Sequence, residues 1–125
     1  MLINRSLKHL NLEMNNITDS GTNIEGVRAL ADALKKNVTL IWLNLNSTCM
    51  DDKCSQLLVE AMKYNTTLIH MDIEGNPNMD IYDVRKIQEK LMKNRKNYYA
   101  EREREFKERR YMGGEKNIKI NIHIE

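Results

Sequence analysis

The chain has 125 residues with 41% hydrophobic content, enough for one domain with a lean core. Its 20 basic and 18 acidic residues leave a formal charge of +2, without the basic excess that a dedicated nucleic-acid surface needs. No apolar run reaches the roughly 18 residues of a membrane span, residues 1–10 lack the features of a signal peptide, and Cys49 and Cys54 make no disulfide framework, so a reducing, cytoplasmic setting is expected.

The first element in chain order is Leu7-Lys8-His9-Leu10-Asn11-Leu12-Glu13-Met14-Asn15. It returns as Leu40-Ile41-Trp42-Leu43-Asn44-Leu45-Asn46-Ser47-Thr48 and as Leu68-Ile69-His70-Met71-Asp72-Ile73-Glu74-Gly75-Asn76. Each fits L-x-x-L-x-L-x-x-N, with Thr48 in place of Asn once. Apolar residues at period two predict a short strand with one buried side. The ninth-position Asn can spend its amide on backbone groups where the chain leaves the strand. Leu40 to Leu68 is 28 residues, and Leu7 to Leu40 is 33, the excess falling in the polar stretch 18–23.

Between the strands, Val27, Leu30, Ala31 and Leu34 lie on one helical face, and Leu57, Leu58, Ala61 and Met62 repeat the stripe. Asp51 or Asp52 is a candidate N-cap for the second helix. Ala33-Leu34-Lys35-Lys36-Asn37-Val38-Thr39-Leu40 aligns with Ala61-Met62-Lys63-Tyr64-Asn65-Thr66-Thr67-Leu68 ahead of the next strand. In strand, helix and joining turn together, residues 1–95 resemble the ribonuclease-inhibitor class of leucine-rich-repeat proteins. The resemblance implies an α/β leucine-rich-repeat solenoid, with parallel short strands, helices on the convex side, and about three repeats in residues 1–95. In this register Asn4 aligns with Asn37 and Asn65, and Met1 with Leu34 and Met62. The chain is therefore expected to open at the end of a repeat helix, with an unpaired edge and an apolar side exposed along the first strand, around His9–Leu12: either a fragment cut inside a repeat, or a chain whose partner covers that edge.

Outward strand positions form columns: His9, Trp42 and His70; Asn11, Asn44 and Asp72; Glu13, Asn46 and Glu74. Adjacent strands lie about 4.8 Å apart, which flanks Trp42 with two imidazoles. His9, Trp42, His70, Asn44, Asp72 and Glu74 are the candidate partner-binding residues on this face, because Trp is enriched at interface centres. The alternative is a self-contained aromatic stack covering the sheet. An indole between the histidines excludes a shared zinc, which needs convergent ligands near 2 Å. Cys54 aligns with Gly26 and reads as a small buried thiol. No phosphate loop, dinucleotide fingerprint, zinc-protease helix or nucleophile elbow occurs. No catalytic residue, cofactor or metal is therefore expected, and the chain is read as a binding protein, not an enzyme.

The third helix is expected from about Ile81 towards Tyr111, with Val84, Ile87 and Leu91 as its apolar stripe. Ile87-Gln88 faintly resembles the start of a calmodulin-binding IQ motif, but Met92 stands where a basic residue belongs. Residues 96–112 form a charged helical extension carrying Tyr98, Tyr99 and Phe106 as candidate contacts. Opposite charges at Glu103–Lys107, Glu105–Arg109 and Arg104–Glu108 are worth about 0.2–0.5 kcal/mol each. Residues 113–125 then read as a joint at Gly113-Gly114 and a terminal strand over 118–124, where Ile118, Ile120, Ile122 and Ile124 alternate with polar residues. That strand is expected to pair with another chain, or with sequence beyond Glu125, the alternative being that it folds back as a cap on its own sheet.

The layout of repeats leading through Ile81-Tyr82-Asp83-Val84-Arg85-Lys86-Ile87-Gln88 into Asn97-Tyr98-Tyr99-Ala100-Glu101-Arg102 looks like that of the leucine-rich-repeat subunits of ciliary axonemes. This likeness implies a scaffold or adaptor in a large assembly, with protein partners, axonemal microtubule-associated proteins among them, and neither nucleic acid nor membrane. Two other families of similar repeats offer alternatives: regulators of a small GTPase, like the Ran GTPase-activating proteins, and actin-filament pointed-end cappers.

Overall fold

A computed structural model describes residues 4–121 of the chain, with side chains described for 4–111. The element order is β1 (His9–Asn11), α1 (Glu25–Lys36), β2 (Trp42–Asn44), α2 (Asp52–Tyr64), β3 (His70–Asp72) and α3 (Ile81–Asn121). The three strands form one parallel sheet in the order β1-β2-β3. The chain divides into two compact units, residues 1–95 and 96–125.

This architecture corrects the expected solenoid. Three strands of three residues and three helices make a small α/β domain, not a repeat superhelix. The physical reason lies after β3. A solenoid needs each unit to be followed by another strand, but Asn76 leads instead into the 41-residue α3. With so few strands there is no superhelical curvature, and the two sides of the sheet are better called the packed face and the open face.

The packed face explains the strand pattern. Leu43, Leu45, Met71 and Ile73 turn inward and share one core with Val27, Ala31 and Leu34 of α1, Leu58, Ala61 and Met62 of α2, and Ile87 and Leu91 of α3. The strand positions pair in register as the alignment requires, with His9 opposite Trp42 and Trp42 opposite His70.

Asparagines tie the units together. Asn65 is buried, accepts from the backbone N–H groups of Thr67 and Leu68 at 3.0 and 2.8 Å, and donates to Leu34 O at 2.8 Å. Asn37 accepts from Thr39 N and Leu40 N and donates to Asn4 O at 3.0 Å. Asn94 donates to Asn65 O and Leu68 O. Asn37 and Asn65 each close their own turn and bond the backbone of the segment before it, while Asn94, inside α3, only reaches back to the preceding segment. Asn76, at the ninth position, donates to Leu45 O and Ile73 O and accepts from Thr48 N and Met50 N. A buried amide with all its bonds made fixes register, because losing one partner strands the other. The polar stretch 18–23 is pinned by Thr18, whose hydroxyl donates to Cys49 O at 2.6 Å.

Helix starts differ in quality. Asp51, not Asp52, caps α2, accepting from Lys53 N and Cys54 N at 3.0 and 3.1 Å. Asp80 caps α3 in the same way, accepting from Tyr82 N and Asp83 N. α1 has Ile24 at its N-cap position and no side-chain cap there.

The C-terminal part also departs from expectation. α3 runs without a break through Gly113 and Gly114 to Asn121, so the glycine joint does not form. Ile118 and Ile120 lie in that helix, not in a strand, and Ile122 and Ile124 fall outside the described residues. A lone strand has no partner for its backbone groups, whereas a helix closes its hydrogen bonds within itself. Two glycines cost a helix only about 1 kcal/mol each.

Candidate functional site on the open sheet face

Strand alternation places His9, Trp42 and His70 on the open face. The indole of Trp42 is half-buried between two imidazoles. His70 stacks parallel to it, with ring centroids 5.7 Å apart and an interplanar angle of 1°. His9 lies on the other side at 6.0 Å, tilted by 46°. The two imidazoles restrict the tryptophan rotamer before any partner arrives, and His9 is exposed while Trp42 and His70 are half-buried. His70 is itself held, its Nε2 lying 3.0 Å from Asp72 Oδ1.

The second column divides by function. Asn44 is only 6% exposed and its Oδ1 accepts from Asn46 N at 2.9 Å, so it shapes its own strand end and offers little to a partner. Asn11 makes the same bond to Glu13 N. Asp72 breaks the series, since its carboxylate goes to His70. In the third column Glu13 and Glu74 are exposed, and Glu74 N–H donates to Asn46 Oδ1 at 2.7 Å. The face thus presents an aromatic ridge with carboxylates from Glu13, Asp72 and Glu74 to one side. Among the described residues no group of three His, Cys, Asp or Glu could hold a metal ion, and no helix is long and apolar enough to cross a membrane.

In the second unit, Tyr99, Phe106 and Tyr111 are exposed. Tyr98 packs edge-on against Tyr99 at 5.3 Å and lies under the Arg102 guanidinium at 4.6 Å. Of the three expected ion pairs, Glu103–Lys107 forms at 3.3 Å. Glu105 is drawn to Arg102 instead, at 3.2 Å. Arg102 gains a second partner there, and the hydrogen bond to Tyr98, with the charge of Glu105, raises its pKa.

The apolar side expected to be exposed along the first strand is only partly covered. Leu10, Leu12, Gly26, Ala29, Leu30 and Ala33 line an apolar groove of about 490 Å³ where β1 meets α1, with Asp32 and Lys36 on its rim. Periodicity marks these leucines as core.

No protein-family model matches the sequence. Over 80 residues, 64% of the chain, it is 31% identical to the mouse (Mus musculus) NACHT, LRR and PYD domains-containing protein 4C. It is 30% identical over 80 residues to the mouse protein 4E of the same designation. It is also 32% identical over 69 residues, 55% of the chain, to the human (Homo sapiens) centrosomal protein of 78 kDa. The chain spans only 8–10% of the length of these curated relatives. The likeness is therefore partial, and it points to leucine-rich-repeat-related sequence.

Proposed function

We propose that this chain is a non-catalytic protein-interaction module, of ribonuclease-inhibitor-type repeat ancestry, whose open sheet face binds a partner in a cytoskeletal assembly such as the axoneme. The observation that carries the reading is the Trp42 sandwich. A half-exposed tryptophan whose orientation is already fixed loses little side-chain entropy on binding, and such residues dominate interface energetics. Glu13, Asp72 and Glu74 add a rim that steers a partner and sets its orientation. The partial likeness to a protein named as centrosomal supports the cytoskeletal setting, and the likeness to proteins named for their leucine-rich repeats supports the repeat ancestry.

Trp42 is the single tryptophan of the chain, so its fluorescence reports the site directly. The test is co-sedimentation of the 125-residue chain with axonemal doublet microtubules, with actin filaments as comparison. Binding to doublets should be accompanied by a change in Trp42 emission. Trp42→Ala should weaken binding roughly tenfold or more, as loss of a central aromatic does. Equal sedimentation of wild type and Trp42→Ala would refute the assigned face, and failure to sediment with doublets would refute the assigned assembly.

A further inference from the structure

We propose that the first part of α3 carries a docking stripe, Lys86, Lys90 and Lys93, for an acidic polypeptide segment whose carboxylates are spaced along an extended chain. The stripe belongs to the helix layer, on the other side of the sheet from Trp42, and does not rest on the function proposed for that face.

Spacing puts the three lysines together. They stand at i, i+4 and i+7 and share one line of the helix. Ile87, Leu91 and Asn94 fill the buried side of the same turns and fix the rotation of the helix. Lys86 and Lys93 are exposed, and Lys90 is half-buried. Lys90 Nζ donates to Lys63 O of α2 at 3.2 Å, and Ser55 Oγ of α2 donates to Asp83 Oδ2 at 2.9 Å. The stripe therefore runs on the α2 side of α3, along a seam whose two helices both belong here to residues 1–95.

Its charge is not answered within the described residues. Residues 85–95 hold five basic groups, Arg85, Lys86, Lys90, Lys93 and Arg95, and one acidic group, Glu89. On α1 and α2 a cation finds an acid three residues earlier: Arg28 lies 3.6 Å from Glu25, Lys35 3.8 Å from Asp32 and Lys63 2.9 Å from Glu60. On α3 that arrangement stops. Asp83 stands three before Lys86 but is held by Ser55, and the residues three before Lys90 and Lys93 are Ile87 and Lys90. Among the described residues no carboxylate, Glu89 included, forms an ion pair with any of the three lysines. Like charges at these spacings repel. Burial and the charge of Lys93 lower the pKa of Lys90. A row of cations that repel one another and lack acids of their own is complementary to an anion from outside.

The chemistry narrows that anion to carboxylates on a polypeptide. The guanidiniums, whose planar fork suits phosphate, are engaged, Arg85 over the Tyr82 ring at 6.0 Å and Arg95 on Ile69 O at 2.8 Å. The ammonium groups that remain hold an anion as point charges. Duplex DNA presents one charge per about 1.7 Å, and Glu89, exposed within a turn of Lys86 and Lys93, opposes so dense a row. A membrane-surface helix needs apolar side chains beside its cations, whereas Ile87 and Leu91 are buried in the core and Met92 is the one exposed apolar residue between Arg85 and Arg95. Successive lysines rise about 6 Å and about 4.5 Å along the helix. Acids at alternate positions of an extended segment recur about every 7 Å on one side, a comparable step.

The test titrates a fluorescently labelled oligoglutamate peptide with the full chain and follows its anisotropy. The peptide should bind at low ionic strength and be released as salt rises, because exposed charges are screened over about 10 Å at about 0.1 M. Lys86→Gln with Lys93→Gln should weaken binding about tenfold, and Lys86→Arg with Lys93→Arg should keep it. Arg28→Gln with Lys35→Gln removes the same charge from α1 and should change the affinity less than about twofold. The Lys86→Gln, Lys93→Gln chain should melt no lower than wild type, since the exchange removes repulsion and no partner. Trp42→Ala should leave peptide binding unchanged, which separates this stripe from the sheet face. A wild-type chain that does not bind the peptide, an equal loss from the α1 and α3 pairs, or a lowered melting temperature in the α3 pair would overturn the proposal. So would tighter binding, lost with the same two lysines, of an oligonucleotide or of phosphatidylserine vesicles.

Discussion

The β2–α2 unit and the β1–α1 unit are written in the same pattern and end in different environments. Leu43, Leu45, Leu58 and Ala61 are fully buried. Their counterparts Leu10, Leu12, Leu30 and Ala33 are only partly so. The pattern sets which way a side chain points, and the neighbouring unit decides whether that direction ends in core or in solvent. β2 lies between two strands, and α2 packs between two helices that share its core. Among the described residues, β1 has a neighbouring strand on one side only.

The sharpest way to test this contrast is to truncate equivalent leucines. Leu45→Ala should destabilise the domain by about 2–5 kcal/mol, because transfer and cavity costs add at a fully enclosed site. Leu12→Ala, at the matching position, should cost less than half as much in the same chemical-denaturation experiment. Equal losses would show that the groove is closed in solution.

Asparagine turns give the next largest difference. Asn65→Ala leaves the buried Leu34 O and Leu68 N–H and the part-buried Thr67 N–H without this partner and should cost about 1–3 kcal/mol. Asn4→Ala removes the equivalent acceptor for Ser6 N and Leu7 N, but in an exposed setting where water can replace it. Its effect should be smaller than that of Asn65→Ala by at least half.

The turns after the strands differ in a related way. Met14, Ser47 and Gly75 occupy equivalent positions, all with positive φ, at 61°, 54° and 72°. A Cβ at Gly75 would lie 2.4 Å from Ser47 Oγ. Gly75→Ala should therefore destabilise by about 1–3 kcal/mol through backbone strain and this clash. Ser47→Gly should relieve the local cost of a left-handed non-glycine residue, and combining the two should be milder than Gly75→Ala alone. Thermal melts of the three variants decide it.

Much of this was readable in the sequence, for a physical reason. Period-two leucines and the Asn before each strand are local signals tied to hydrogen bonds within a few residues, so the register His9–Trp42–His70 and the turns at Asn37 and Asn65 follow directly. The solenoid did not follow, because a repeat pattern gives the operation between neighbours and says nothing of how many neighbours there are. At 118–121 a helix stands where the alternation of isoleucines predicts a strand, because alternation is a local signal and a strand also needs a neighbour to pair with, whereas a helix closes its own hydrogen bonds. The burial of Asn44 and the Arg102–Glu105 pair were also out of reach. Both depend on which of several short-range partners a flexible side chain takes.

The two helix starts yield a smaller, pH-dependent effect. Burial pushes the Asp51 carboxyl up, but the Cys54 and Lys53 backbone N–H groups, the Cys54 thiol and the Lys53 charge outweigh it, so its pKa lies below the ordinary carboxylate value. A carboxyl depressed by folding adds stability that is present above its unfolded pKa and is lost as pH falls through the folded one. Asp51→Ala should cost about 1 kcal/mol at neutral pH and flatten the acid limb of the stability profile. Asp51→Asn should keep the cap while flattening the same limb, because Asn accepts the N–H bonds without titrating. α1, which lacks a side-chain cap at Ile24, should contribute no such limb.

The smallest expected effect concerns two thiols five residues apart. Cys54 is fully buried, and burial raises its pKa to about 11. The attacking species is the thiolate, so at neutral pH Cys54 is both shielded and protonated. Cys49 is exposed in the turn beyond β2. A thiol reagent added to the folded chain should label one site at neutral pH, and Cys49→Ser should remove that labelling while leaving the melting temperature nearly unchanged. Cys54 should label only as the domain opens, at a rate that follows global unfolding. Leu45→Ala, by destabilising the β2–α2 unit, should speed Cys54 labelling far more than Leu12→Ala does. If both substitutions speed it equally, the domain opens as one piece and the difference between its centre and its β1 side carries no energetic weight. If Cys54 labels as fast as Cys49 in the folded wild type, the burial assigned to α2 is wrong.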